Sequence, residues 1–160
     1  MKQKLDEFNT LIQIITSYNV KKTLEIGTFD GESALAFYNA TKGQVITVDP
    51  WAKIPPSQNV ILLSGFAQAP GVINATRNFG PYDFIFIDGD HRRAMGDFVI
   101  YSKMLKRGGI IAFHDINPNC NFATCPVVPV WEELKTKYRS LEIISKTDLS
   151  KGYGIGVLFF

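Results

Sequence analysis

The sequence predicts a three-layer α/β sandwich built on a mostly parallel sheet. Three observations carry this prediction. Short apolar runs alternate with amphipathic stretches along the chain, the pattern of strands joined by crossover helices. One run, Tyr82 to Asp88, is apolar nearly throughout, as a central strand covered on both faces must be. Nearly every strand-like run also finishes on a polar or acidic residue: Glu25, Asp49, Ser64, Asp88 and His114-Asp115. In open parallel sheets, ligands bind beyond the carboxyl ends of the strands.

The elements follow in order. Leu5, Phe8, Leu11, Ile12 and Ile15 recur at helical spacing over residues 4–18 and predict an amphipathic helix packed on the domain. Thr23 to Ile26 read as the opening strand, Gly27 to Gly31 as a glycine-bounded turn, and Glu32 to Tyr38 as a helix. Gln44 to Asp49 form the second strand, stopped by Pro50; Val60 to Ser64 form the third, and Pro70 to Phe79 a short helix. After the central strand, residues 92–105 place Met95, Phe98, Ser102 and Leu105 on one helical face, with Gly108-Gly109 ending the helix. Gly109 to Phe113 are a further strand, closed by His114-Asp115. A loop over 116–126 leads to a helix over 127–138, whose apolar face holds Val127, Val130, Trp131, Leu134 and Tyr138. Leu141 to Lys146 and Gly154 to Phe160 complete the sheet as an antiparallel hairpin. The sum is one domain over 1–160 with a Rossmann-like, seven-stranded sheet: a helix over 1–19 and a ligand-binding core over 20–160.

Composition excludes several classes. A formal charge of +2, with no basic cluster longer than a pair, argues against a nucleic-acid surface. No apolar run reaches membrane-spanning length, and no signal-peptide core follows the N-terminus. The two cysteines, Cys120 and Cys125, are therefore expected as reduced loop thiols of a cytoplasmic protein. The apolar face of the N-terminal helix admits a homodimer.

The turn Glu25-Ile-Gly27-Thr28-Phe-Asp-Gly31 runs from a strand into a helix, so it offers backbone N–H groups and a helix N-terminus to a nucleotide-like ligand. It lacks the G-x-G-x-x-G of a dinucleotide turn, which disfavours a nicotinamide dehydrogenase, and it lacks the Lys-Ser/Thr of a P-loop. Asp49 lies 22 residues beyond Gly27, where an acid can accept both hydroxyls of a ribose; it can equally cap the turn before Pro50. Trp51 is a packing anchor or a surface for an adenine ring. Asp88, His114 and Asp115 end neighbouring strands and can converge as two carboxylates and an imidazole. That set suits Mg²⁺ or Mn²⁺ and admits other divalent ions; the alternative is a row of turn formers, among which Asp90 caps the helix that follows.

Four segments in register, residues 24–33 (LEIGTFDGES), 48–50 (VDP), 84–91 (FIFIDGDH) and 108–115 (GGIIAFHD), resemble the class I S-adenosylmethionine-dependent methyltransferases. The likeness is narrower to the branch of cephalosporin-hydroxylase-like and macrolide-sugar O-methyltransferases, related to the catechol O-methyltransferases. It extends over residues 20–160. The resemblance implies that Glu25, Gly27, Thr28, Gly31 and Ser33 surround the methionine part of S-adenosylmethionine, and that Asp49 holds its ribose. Trp51, Gly65 and Phe66 would flank its adenine, with Asp88 nearby. It further implies a divalent metal on Asp88, His114 and Asp115, and His91 as the base that takes the acceptor's proton. The sequence departs from the pattern at Phe66-Ala67, where relatives often carry an acid or a serine pair, and at His114, where they often carry an acid. The implied reaction is methyl transfer to a hydroxyl of a small molecule or glycan. The alternatives are a metal-independent methyltransferase acting on another acceptor, and a cofactor-binding module without turnover.

Overall fold

The computed structural model describes residues 5–55, 57–117, 125–145 and 153–160. Among the described residues, seven strands form one sheet: β1 (Lys22–Ile26), β2 (Gln44–Asp49), β3 (Val60–Ser64), β4 (Tyr82–Ile87), β5 (Leu105–His114), β6 (Arg139–Ile143) and β7 (Ile155–Phe159). Their order is β3-β2-β1-β4-β5-β7-β6; β1 to β5 pair in parallel, and β7 runs antiparallel to both β5 and β6. Among the described residues, five α-helices cover the sheet: α1 (Leu5–Ser17), α2 (Glu32–Thr41), α3 (Pro70–Phe79), α4 (Ala94–Tyr101) and α5 (Val127–Leu134).

The period-two alternation of the strands divides the core into two layers. Leu24, Ile26, Ile85, Ile87, Ile111 and Phe113 face one way and pack with residues of α3, α4 and α5, including Val72, Phe98 and Trp131. Val45, Phe84, Phe86, Ile110 and Ala112 face the other way and meet Phe8, Leu11 and Ile15 of α1 and Phe37 of α2. Phe37 sits edge-on to Phe84 and Phe86, with ring centroids 5.3 and 5.4 Å away. The apolar face of α1 thus packs into the chain's own core.

Several predicted boundaries shift. The helix expected over 92–105 is a 3₁₀ turn (His91–Arg93), then α4, then a second 3₁₀ turn (Ser102–Met104). Its buried face is Ala94, Asp97, Phe98 and Tyr101, and Leu105 already belongs to β5. The pair Gly108-Gly109 lies inside that strand, where pairing with β4 is irregular between Tyr82 and Phe84, so the glycines relieve a bulge and do not end a helix. Helix α5 stops at Leu134, four residues early, and β6 begins at Arg139. Cys125 is disulfide-bonded, which corrects the expectation of a reduced thiol: the pairing depends on local proximity, which an argument from compartment does not see. Cys120 lies outside the described residues, as do Lys146 and most of the expected 116–126 loop. Among the described residues no helix is long and apolar enough to cross a membrane.

One long-range contact ties α1 to the far end of the sheet. The buried carboxylate of Glu7 accepts the backbone N–H of Ser145 at 2.6 Å and that of Gly154 at 3.1 Å, so a single side chain grips both ends of the β6–β7 connection. Removing it leaves two buried N–H groups without their acceptor. Glu7→Ala is expected to cost about 2 kcal/mol, read as a lower urea midpoint at unchanged slope; an unaltered midpoint would refute the clip.

Candidate active site

The parallel register sets the carboxyl ends of β2, β1, β4 and β5 along one edge, and a cavity of about 780 Å³ opens there. Its wall begins at the turn after β1. Gly27 has φ +95°, and a Cβ on it would stand 2.3 Å from the carbonyl oxygen of Asp88, so only glycine lets the β1 and β4 turns approach this closely. Gly27, Thr28 and Ser33 line the cavity, while Gly31 (φ +79°) turns the chain into α2 behind it.

Asp49 lines the cavity and is also a structural staple. Its Oδ2 accepts the N–H groups of Thr28 and Phe29, each at 3.1 Å; its Oδ1 accepts those of Trp51 at 2.7 Å and Ala52 at 2.8 Å. Partial burial pushes its carboxyl up, but the four N–H groups outweigh this and hold it below the usual range. Asp49 thus caps two turns, the structural alternative weighed from the sequence, and it also lines the cavity. Trp51 and Phe66, both exposed, meet edge-on at 5.5 Å on the rim; Gly65 shapes the turn after β3 and does not itself line the cavity.

Glu25 departs from the expectation that the strand-end acids share a rim. It is 0% exposed and lies beneath the turn, because alternation along β1 turns it to the sheet face that α2 covers. Ser33 Oγ donates to one of its oxygens, Thr47 Oγ1 to the other at 2.5 Å, and Thr47 in turn meets Thr28 Oγ1 at 2.5 Å. Burial pushes the Glu25 carboxyl up to about 8, against the two hydroxyls that favour its ionised form.

At the β4 and β5 end, four side chains converge. His114 Nδ1 lies 3.2 Å from Asp88 Oδ1 and 3.2 Å from Asp115 Oδ2; His91 Nε2 lies 3.1 Å from the same Asp115 oxygen and 4.0 Å from Asp88. Burial pushes His114 down, but the two carboxylates prevail and hold it at about 10. Burial likewise raises Asp115, and the imidazoles of His114 and His91 overcome it, keeping the carboxyl well below its ordinary value. The hydrogen bond to Asp115 also raises His91. Asp90 caps the following 3₁₀ turn by accepting the N–H of Arg92, as expected. Phe29, Gln68, Asp97 and Tyr153 also line the cavity and were not singled out from the sequence.

A family model described as a methyltransferase domain matches residues 24–116, more than half of the chain. The chain belongs to this methyltransferase family. A probable caffeoyl-CoA O-methyltransferase of Dictyostelium discoideum is 27% identical to this methyltransferase, over 92% of the chain and 71% of the relative. A caffeoyl-CoA O-methyltransferase of Arabidopsis thaliana is 28% identical over 81% of the chain, which spans only 56% of the plant protein. Among solved structures, an O-methyltransferase from Bacillus cereus in complex with S-adenosylhomocysteine superposes with a TM-score of 0.73 at 20% identity, covering 98% of this chain and 82% of the other. The O-methyltransferase TomG from Streptomyces achromogenes, in complex with S-adenosylmethionine, gives 0.67 at 17% identity, covering 98% and 80%. The methyltransferase thus has the α/β fold of these enzymes.

The Glu25 carboxyl makes stability depend on pH. Its folded value, about 8, lies above the ordinary 4.5, so between those limits the folded protein keeps a proton that the unfolded chain has lost. The contribution is full below the lower value, falls as pH rises through the window, and levels off above it. Glu25→Gln, which mimics the protonated side chain, is expected to flatten this decline; urea midpoints across the window test it, and parallel wild-type and variant curves would contradict it.

Proposed function

We propose that this methyltransferase transfers the methyl group of S-adenosylmethionine to a hydroxyl of a small-molecule or glycan acceptor, assisted by a divalent ion. The observation that carries the reading is a single cavity bounded by the glycine turn and Asp49 on one side and by Asp88, His91, His114 and Asp115 on the other. Relatives named as O-methyltransferases, and structures solved with S-adenosylmethionine or its demethylated product, support it.

In this reading Asp49 takes the ribose hydroxyls, and Gly27, Thr28 and Ser33 surround the methionine part. Glu25 acts from beneath by orienting Ser33 and, through Thr47, Thr28; Gly31 and Gly65 shape the turns. Trp51 and Phe66 give the adenine an aromatic border. The sulfonium loses its positive charge as the methyl leaves, so little new charge needs stabilising and alignment dominates the rate. The acceptor hydroxyl lies beside His91, which takes its proton, and Asp115 stabilises the imidazolium that forms.

The donor set fits a divalent ion. Asp88, His114 and Asp115 each present one ligand atom within 4.8 Å of the others, and the 3.2 Å separations suit adjacent ligands on bonds of about 2.1 Å. The imidazole widens the choice beyond Mg²⁺ to Mn²⁺, Fe²⁺ or Zn²⁺. Bound there, the ion would lower the hydroxyl's pKa and fix its direction. One observation favours a metal-independent version: His114 already bridges the two carboxylates by itself.

Methyl transfer from labelled cofactor to a panel of catechols, phenols and sugars, with and without chelator, tests the proposal and decides between its two versions. Asp88→Asn is expected to abolish transfer while sparing calorimetric affinity for S-adenosylhomocysteine. His91→Gln should lower kcat by about 10²-fold or more at similar affinity. Full activity in either variant would remove that residue from the mechanism.

A further inference from the structure

The mechanism leaves one buried acid of the cavity unused. Asp97, on α4, is 1% exposed yet lines the cavity, and among the described residues its one hydrogen-bond donor is Gln68 Nε2, at 3.0 Å from Oδ1. A carboxylate has about four acceptor positions, and leaving them unfilled in a buried setting is costly. Burial pushes this carboxyl up to about 6, against the hydrogen bond from Gln68; in its ionised form it accepts hydrogen bonds and donates none.

The surroundings of Asp97 are built to hold it. Gln68 donates to Asp97 and to the carbonyl of Arg93 at 3.3 Å, and its Oε1 accepts Arg93 Nη1 at 3.3 Å, so both amide hydrogens of Gln68 are already engaged. Gly96 makes room for this arrangement: a Cβ there would stand 2.5 Å from Gln68 Nε2. The carbonyl of Ala67 is taken by Tyr101 Oη at 2.5 Å. With the neighbouring polar groups committed, Asp97 is left to face a ligand, and it accepts only. Such a surface selects a ligand edge that donates.

Its place in the cavity names that edge. Gln68 follows β3, on the outer side of Asp49, whereas the cluster of Asp88, His114 and Asp115 follows β4 and β5 on the inner side. A nucleoside whose ribose rests on Asp49 and whose 5′ substituent reaches Asp88 turns its base toward Gln68 and Asp97, under Phe66.

We propose that Asp97, oriented by Gln68, accepts a hydrogen bond from the exocyclic amine of the cofactor's purine and selects adenosyl over inosyl ligands. This assignment rests on the cofactor reading above and adds to it the group that recognises the base, where Phe66-Ala67 supply no side-chain acceptor. Replacing the amine by a keto oxygen sets two acceptors against each other, and sites built on such a bond discriminate strongly.

Calorimetry on the intact chain with S-adenosylhomocysteine and S-inosylhomocysteine tests it. The wild type is expected to prefer the adenosyl ligand by about tenfold or more. Asp97→Asn, whose amide can face either base, should bring the two affinities within about twofold. Gly96→Ala, which pushes Gln68 from its seat while keeping Asp97, should also erode the preference and serves if the first variant does not fold. Equal affinities in the wild type, or an undiminished preference in Asp97→Asn, would overturn the assignment alone. Failure of the wild type to bind either ligand would overturn the cofactor reading and this assignment with it.

Discussion

A carboxyl group without access to solvent holds the floor of the cavity together. Glu25 gathers hydroxyls from α2 (Ser33) and β2 (Thr47), and Thr47 passes the connection to Thr28 in the turn after β1. Three elements that meet at the cavity are thus fixed to one side chain, and the turn that lines the cavity rests on that group. Above it, Asp49 repeats the arrangement with backbone donors, joining the β1 turn to the β2 turn. The two acids divide the work: the buried one sets side-chain directions, and the half-buried one sets the path of the main chain. The close passage of Gly27 past Asp88 then brings the cluster on β4 and β5 within reach of the same cavity.

Much of this was legible in the sequence because it depends on local pattern. The five parallel strands announce themselves by apolar runs that finish at polar residues, and the Gly27–Gly31 turn by its spacing. Asp90 caps the turn after β4 for reasons visible within four residues. The convergence of Asp88, His114 and Asp115 follows from two adjacent parallel strands, which alternation and length already indicate.

What stayed hidden depends on direction and on distant partners. Glu25 reads as a rim acid until α2 is seen to cover its face of β1. The observed buried face of α4 is offset by about one residue from the predicted one and includes Asp97, which the predicted face does not. Its partner Gln68 stands in a loop with no pattern of its own. Leu105 reads as the end of a helix because the bulge that starts β5 has no periodic signature. The bonded state of Cys125 was missed for a related reason, since redox arguments speak of compartments and not of neighbours.

The grip of Glu7 on both ends of the β6–β7 connection has a mechanical meaning. Gly154 stands next to Tyr153, whose ring lies 6.1 Å from that of His114 and forms part of the cavity wall. Helix α1 packs on one face of the sheet, yet one of its carboxylates couples it to the cavity wall beside His114. Glu7 and Gly154 therefore give that helix a short hydrogen-bonded route to Tyr153.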